Sequence, residues 1–250
     1  MEGWGLITYV VVIAGLAAGG FTKGFSGIGL PLIAVPVLSL VIDITFAVAL
    51  MPIPILITNI WQTYTSSYLL WAIKKFWLLL VCIPIGTVIG VKILSTVDPR
   101  WLSGIIGVIT IVFSLLTQFQ TNWRLPERTG TWLAPGVGLA AGLIGGISSF
   151  FAPPLVMFLL ALQLSKDAFV GAIGLMYLIG AIPMIISLAH FKVLGPADFL
   201  VSALAAVPVF AGQMLGHFMR GKIPDEKFRR IVLAVLLLAG LNLIRRVFTG

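Results

Sequence analysis

Runs free of Asp, Glu, Lys and Arg dominate the chain: 3–22, 24–42, 44–73, 76–91, 101–123, 129–165, 168–191, 199–219 and 231–244. Most match the roughly 20 apolar residues that carry a helix across a hydrocarbon core about 30 Å thick. Trp, Tyr, Lys and Arg stand near their ends, as Tyr68, Trp71, Lys74 and Lys75 do after the third run and Trp101 at the start of the fifth. The pattern predicts a bundle of membrane-spanning helices.

Two runs depart from one span each. The run 129–165 is too long for one crossing, and Gly145-Gly146-Ile147-Ser148-Ser149-Phe150-Phe151-Ala152-Pro153-Pro154 interrupts it. Proline lacks the backbone donor and clashes with the preceding turn, so a helix breaks there. From Trp132 to Gly146 a helix rises only about 22 Å, which puts the break at or near membrane depth and a second short helix at 152–164. The segment Gly19-Gly20-Phe21-Thr22-Lys23-Gly24-Phe25-Ser26-Gly27-Ile28-Gly29-Leu30-Pro31 divides residues 3–42 in the same way.

The likeness of the two breaks extends to an internal repeat. Gly15-Leu16-Ala17-Ala18-Gly19 recurs letter for letter as Gly138-Leu139-Ala140-Ala141-Gly142, and at the same offset Ser26 meets Ser149 and Pro31 meets Pro154. Pro84 pairs with Pro208, and Gly86-x-x-x-Gly90 with Gly212-x-x-x-Gly216, spacings that favour close helix packing. The expected architecture is all-α: about ten helical segments in two repeats, 1–122 and 131–250, joined by a cytoplasmic linker at 123–130. Each repeat opens with a broken or re-entrant helix pair, followed in the first by helices near 44–71, 76–94 and 101–120. Each crosses an odd number of times, so the repeats face opposite ways, the inverted plan of many secondary transporters.

Composition agrees. The chain is 60% apolar and 10% charged, with a mean hydropathy of +1.13, against about 25% charged residues in soluble domains. That excludes a soluble enzyme, a nucleic-acid binder and a disordered chain. The net charge of +8 therefore reports topology. Lys74, Lys75, Arg124, Arg128, Lys166, Arg220, Lys222, Lys227, Arg229 and Arg230 fall on one side, and Lys92, Arg100, Lys192, Arg245 and Arg246 on the other. The more cationic side is assigned to the cytoplasm of a plasma (inner) membrane protein with both termini outside. Met1-Glu2-Gly3-Trp4 lacks the basic start of a cleaved signal, so the first apolar run is expected to be retained. Cys82 is the single cysteine, which leaves no disulfide framework or thiolate metal cluster, and no cofactor is expected.

Gly15-x-x-x-Gly19-Gly20-Phe21-x-x-Gly24-x-x-Gly27-x-Gly29-x-Pro31-x-x-x-x-Pro36, with its echo Gly142-x-x-x-Gly146-x-x-x-x-x-x-Pro153-Pro154, resembles the sulfite exporter TauE/SafE family, also called toluene-sulfonate uptake permeases. The likeness runs from Gly15 to about Gly240. It implies transport of small sulfur-containing anions such as sulfite, thiosulfate or organosulfonates. In the second half, Ser148-Ser149-Phe150-Phe151 replaces a stretch that is richer in glycine in the family.

An oxyanion crossing the bilayer needs donors and positive potential, and a helix N-terminus supplies both. Such starts are expected after Ser26-Gly27 and after Ser148-Ser149, meeting near the midplane. Ser26, Ser148 and Ser149 offer hydroxyls, while Gly24, Gly27 and Gly29 allow close approach to the backbone. Lys23 is the one cation in the motif; it lies either in a wet cavity or at the cytoplasmic face, its ammonium reaching water. Asn59, Gln62, Thr63 and Ser66 share one helical face, lining a pathway or bonding neighbouring helices, and Gln213 is a further candidate. Asp43 and Asp167 suit helix starts, and no acid stands mid-span. His190 and His217 sit near helix ends, so a membrane enzyme is disfavoured. An anion channel using the same broken-helix site is the alternative to a carrier. A homodimer is open.

Overall fold

The computed structural model describes residues 5–64, 66–118, 124–219, 222 and 225–249. Arg220 and residue 123 of the linker lie outside them. Among the described residues there are eleven helices and no strand: α1 Leu6–Ser26, α2 Leu30–Leu38, α3 Ile44–Ala49, α4 Pro52–Tyr64, α5 Leu69–Thr96, α6 Pro99–Gln118, α7 Glu127–Ser148, α8 Ala152–Ala161, α9 Lys166–His190, α10 Pro196–Met219 and α11 Asp225–Thr249. The pair α3 and α4 forms one apolar segment, Ile44–Tyr64, which gives the ten expected segments. Six are long and apolar enough to cross a membrane: Leu6–Ser26, Ile44–Tyr64, Leu69–Thr96, Thr129–Ser148, Asp167–His190 and Pro196–Met219. The chain is a multi-pass membrane protein.

Local chemistry sets the boundaries. Asp43 caps α3, its carboxylate accepting from the Thr45 and Phe46 amides at 2.8 and 3.1 Å, and Ser165 accepts from Ala168 N–H at the start of α9. Removing such a cap costs about 1 kcal/mol. Asp43→Ala should therefore lower thermal stability in detergent, and Asp43→Asn should restore most of it. The expected helix 44–71 instead stops at Tyr64 and helix resumes at Leu69. The split between α3 and α4 follows from Pro52 and Pro54, which have no N–H to give. Pro54 leaves the Leu50 carbonyl without its helical donor, and the buried Ser202 hydroxyl of α10 donates to that oxygen at 2.8 Å.

The helices gather into two compact units. One holds α1, α2, α3, α6, α10 and α11; the other holds α4, α5, α7, α8 and α9. Each unit draws helices from both halves of the chain. In the first, α1 and α10 pack backbone to backbone: a β-carbon on Gly20 would stand 2.0 Å from the Val209 carbonyl oxygen, and one on Gly24 2.0 Å from that of Gln213. Gly212 and Gly216 return the contact against the Ala17 and Phe21 carbonyls. In the second unit α5 and α7 meet in the same way. Gly142 and Gly146 face the Ile83 and Thr87 carbonyls, and Gly86 and Gly90 face those of Leu139 and Leu143. The spaced glycines thus serve as the close-packing seams expected of them, each seam joining a helix of one half to a helix of the other.

Candidate functional site

In the first unit α1 ends on Gly27, in the left-handed conformation (φ 85°), whose N–H donates to the Lys23 carbonyl at 2.7 Å. Gly29 (φ 105°) opens α2. Both dihedrals favour glycine. The nine residues of α2, about 14 Å of rise, turn back along α1: Leu30 and Ala34 lie beside Gly19, and Val37 and Leu38 beside Gly15. The first pair is a hairpin in which a short helix folds back along a 21-residue helix, where the sequence suggested two short pieces.

The second hairpin repeats the first. Ser149 ends α7 in the left-handed region (φ 61°), with its N–H on the Gly145 carbonyl at 2.6 Å. From there α8 returns so that Phe151 lies beside Gly145 and Leu162 beside Gly130. Helix α7 begins at Glu127, five residues before Trp132, and runs 22 residues, about 33 Å, longer than the 22 Å rise expected. The short helix spans Ala152–Ala161, ending before the expected 164.

Equivalent contacts recur 122 residues apart: Gly20 with Gly142, Gly24 with Gly146 and Gly27 with Ser149. Ser26 matches Ser148, each hydroxyl donating to the carbonyl four residues back, Thr22 at 2.8 Å and Ile144 at 2.7 Å. The verbatim five-residue match lies at 123 residues, so it is one residue out of register with the packing. The partner of Ser26 is therefore Ser148 and not Ser149, and the counterpart of Lys23 is Gly145, one residue before Gly146.

The hairpins differ where an anion would sit. Lys23 is buried at 5% exposure, so its side chain does not lie at an exposed face. Phe151, at the position of Gly29, is 0% exposed. Its ring fills the space left by Gly145 and Gly180 and meets Tyr177 edge-on at 5.4 Å. At the start of α2, Leu30 and Leu32 carry N–H groups and Pro31 does not. In the first three residues of α8 only Ala152 carries one, because Pro153 and Pro154 follow. Donors and positive charge are thus concentrated in the first hairpin.

Six of the ten candidates belong to the first unit. Lys23, Gly24, Ser26, Gly27 and Gly29 form the end of α1 and its turn, and Gln213 of α10 presents its backbone to Gly24. The Gln213 Oε1 is buried and has no hydrogen-bond partner among the described residues. The Ser26 hydroxyl also reaches the Ile28 carbonyl at 2.8 Å, so it closes the turn. In the second unit Ser148 accepts from the Phe150 N–H at 3.2 Å, and the Ser149 hydroxyl lies 3.6 Å from the Met184 sulfur. Asn59 is 1% exposed, its amide donating to the Ile55 carbonyl at 2.7 Å. The Gln62 amide bonds the Val170 carbonyl of α9 at 2.9 Å, which ties two helices together.

Two residues named in the sequence have environments that only the fold shows. Phe151 was legible only as part of a break; its burial depends on Gly180, distant in sequence. Thr63, on the polar stripe, is 4% exposed with its hydroxyl unpartnered among the described residues.

No curated protein and no solved structure matches the chain. A family model described as sulfite exporter TauE/SafE matches residues 11–243. Because that match takes in both hairpins and both glycine seams, the chain belongs to the sulfite exporter TauE/SafE family of membrane transporters.

Proposed function

We propose that the protein is a secondary carrier moving a small sulfur-containing anion, sulfite or an organosulfonate, across the plasma (inner) membrane, and that the anion rests at the α1–α2 turn. Lys23 carries this reading. A cation inside a membrane helix costs about 2.5–3.5 kcal/mol on insertion scales, and such residues are kept along substrate pathways. Beside Lys23, two positive-φ glycines bare the backbone, and α2 begins with the Leu30 and Leu32 amides at the positive end of its dipole. The second hairpin, with Phe151 and two prolines, contributes shape more than charge.

Asn59 lines the pathway in this reading, while Gln62 anchors α4 to α9. The hairpin contacts recurring 122 residues apart support two inverted repeats, 1–122 and 131–250. Inversion would leave both termini outside.

Purified protein in liposomes loaded with sulfite should exchange labelled sulfite with saturation. A conductance rising linearly with concentration would mark a channel instead. Lys23→Gln should lower exchange by about tenfold or more, the worth of one hydrogen bond to a charged group, without lowering the melting temperature. Lys23→Arg should keep part of the activity. Unchanged exchange in Lys23→Gln would remove the anion from this turn. Thermal shifts with sulfite, thiosulfate, sulfoacetate and taurine would identify the preferred substrate.

A further inference from the structure

The second unit holds a basic cleft at the end of its hairpin opposite the turn, beside Gly130 and Leu162. Helix α5 is interrupted at Phe76, whose φ of −113° and ψ of 18° leave the helical region. After this kink the helix runs to Thr96, about 30 Å and one crossing of the hydrocarbon core. Lys74 and Lys75 stand just before the kink, at the level where such a helix leaves the core. A cavity of about 410 Å³ opens there, lined by both lysines, Trp77, Gly130 and Thr131 of α7, and Phe158 of α8.

An aromatic ladder reaches its wall through Phe76 and Phe158. Tyr68 meets Trp71 edge-on at 5.9 Å, Trp71 meets Phe76 at 5.7 Å, and Phe76 meets Phe158 of α8 at 6.2 Å. The Lys75 ammonium lies 5.3 Å from the Trp71 ring centroid, so the ladder also positions a charge. Beyond the kink, Trp77, Val81, Ile85 and Val88 are exposed and lie along one side of α5, an apolar track leading down from the cleft. A ligand matching both parts has an anionic head and a hydrocarbon tail.

We propose that this cleft holds the phosphodiester headgroup of an anionic phospholipid between Lys74 and Lys75, with an acyl chain laid along the α5 track. Basic pockets between membrane helices take such headgroups, and juxtamembrane lysines attract anionic lipid. The same cations could hold a free small anion, but only a lipid makes use of the track.

The test uses the full-length protein purified in detergent. Phosphatidylglycerol is added, with phosphatidylcholine and glycerol 3-phosphate as separate arms, and bound lipid is counted by native mass spectrometry. Phosphatidylglycerol should bind and raise the melting temperature, while phosphatidylcholine should do neither. The K74Q/K75Q variant should bind phosphatidylglycerol about 30-fold more weakly, at roughly fivefold per lysine. K74R/K75R should retain binding, as should K92Q, which removes an exposed charge elsewhere on α5. Equal melting temperatures without added lipid exclude a folding defect, both lysines being exposed. Equal retention of the two lipids, or full binding by K74Q/K75Q, overturns the proposal. Displacement of the lipid by glycerol 3-phosphate at similar concentration would make this a small-anion site and overturn the lipid assignment.

Discussion

Leucine at position 142 will leave little folded protein to purify. A β-carbon there would stand 2.1 Å from the Ile83 carbonyl oxygen, 2.8 Å from the Thr87 nitrogen and 3.0 Å from the Gly86 α-carbon, all backbone atoms that cannot rotate away. The only relief is to part α5 from α7, which also separates Gly86 and Gly90 from the Leu139 and Leu143 carbonyls. Overpacking commonly costs about 1–3 kcal/mol, and here it is imposed on a whole seam. In lipid, close packing and interhelical hydrogen bonds carry most of helix association, because hydrocarbon does not drive apolar helices together. Gly136 is the internal control: it lies on the same helix with nothing within 4 Å of its would-be β-carbon. Size-exclusion profiles of tagged protein should show loss of the monodisperse peak for Gly142→Leu and a normal peak for Gly136→Leu. Similar profiles for the two would mean that the seam is not where this fold is fixed.

The second large effect is at Phe151. Truncation to alanine removes a fully buried ring from between Gly145, Gly180 and Tyr177. Phe→Ala in cores costs about 3–5 kcal/mol; the lower end applies here, because surrounding lipid removes much of the transfer component and leaves the cavity. The geometry adds a sharper expectation. A methyl group on Gly145 would fall 2.1 Å from the Phe151 ring, so Gly145→Ala destabilises the natural chain but should be tolerated once the ring is gone. Melting temperatures of the two single variants and the double should be strongly non-additive, the double being more stable than the sum predicts. Additivity would show that the ring does not rest on Gly145.

Much of this was legible in the chain because it depends on local chemistry. The number of segments follows from charge-free runs of about bilayer length, and the breaks follow from Gly27, Gly29, Pro153 and Pro154. The spaced glycines at 86, 90, 212 and 216 announced close packing through the absence of side chains. Other features were not readable, for reasons equally physical. Helix α7 extends back through Glu127 and Arg128 because charged residues end a membrane span without ending a helix. The repeat register slipped by one because sliding a Gly-, Ala- and Leu-rich helix by one residue preserves its letters, whereas the packing preserves small residues at Gly20, Gly24, Gly142 and Gly146. Lys23 posed a question that sequence alone left open, because burial is a property of the folded chain and not of its local pattern. For Gln62 the sequence offered two roles, lining a pathway or bonding a neighbouring helix; the partner of its amide, the Val170 carbonyl, lies more than a hundred positions away, where no local pattern points to it.

The interleaved units bear on how the protein is made. Gly20 and Gly24 meet Val209 and Gln213, so α1 waits for a partner about 190 residues behind it. At about 5–20 residues per second that delay is roughly 10–40 s, during which the face that will seat α10 has no partner. A nascent chain arrested after its first half would contain neither glycine seam complete, since α1 would lack α10 and α5 would lack α7. Quality control at the insertion machinery therefore meets a finished seam only after helices of the second half have emerged.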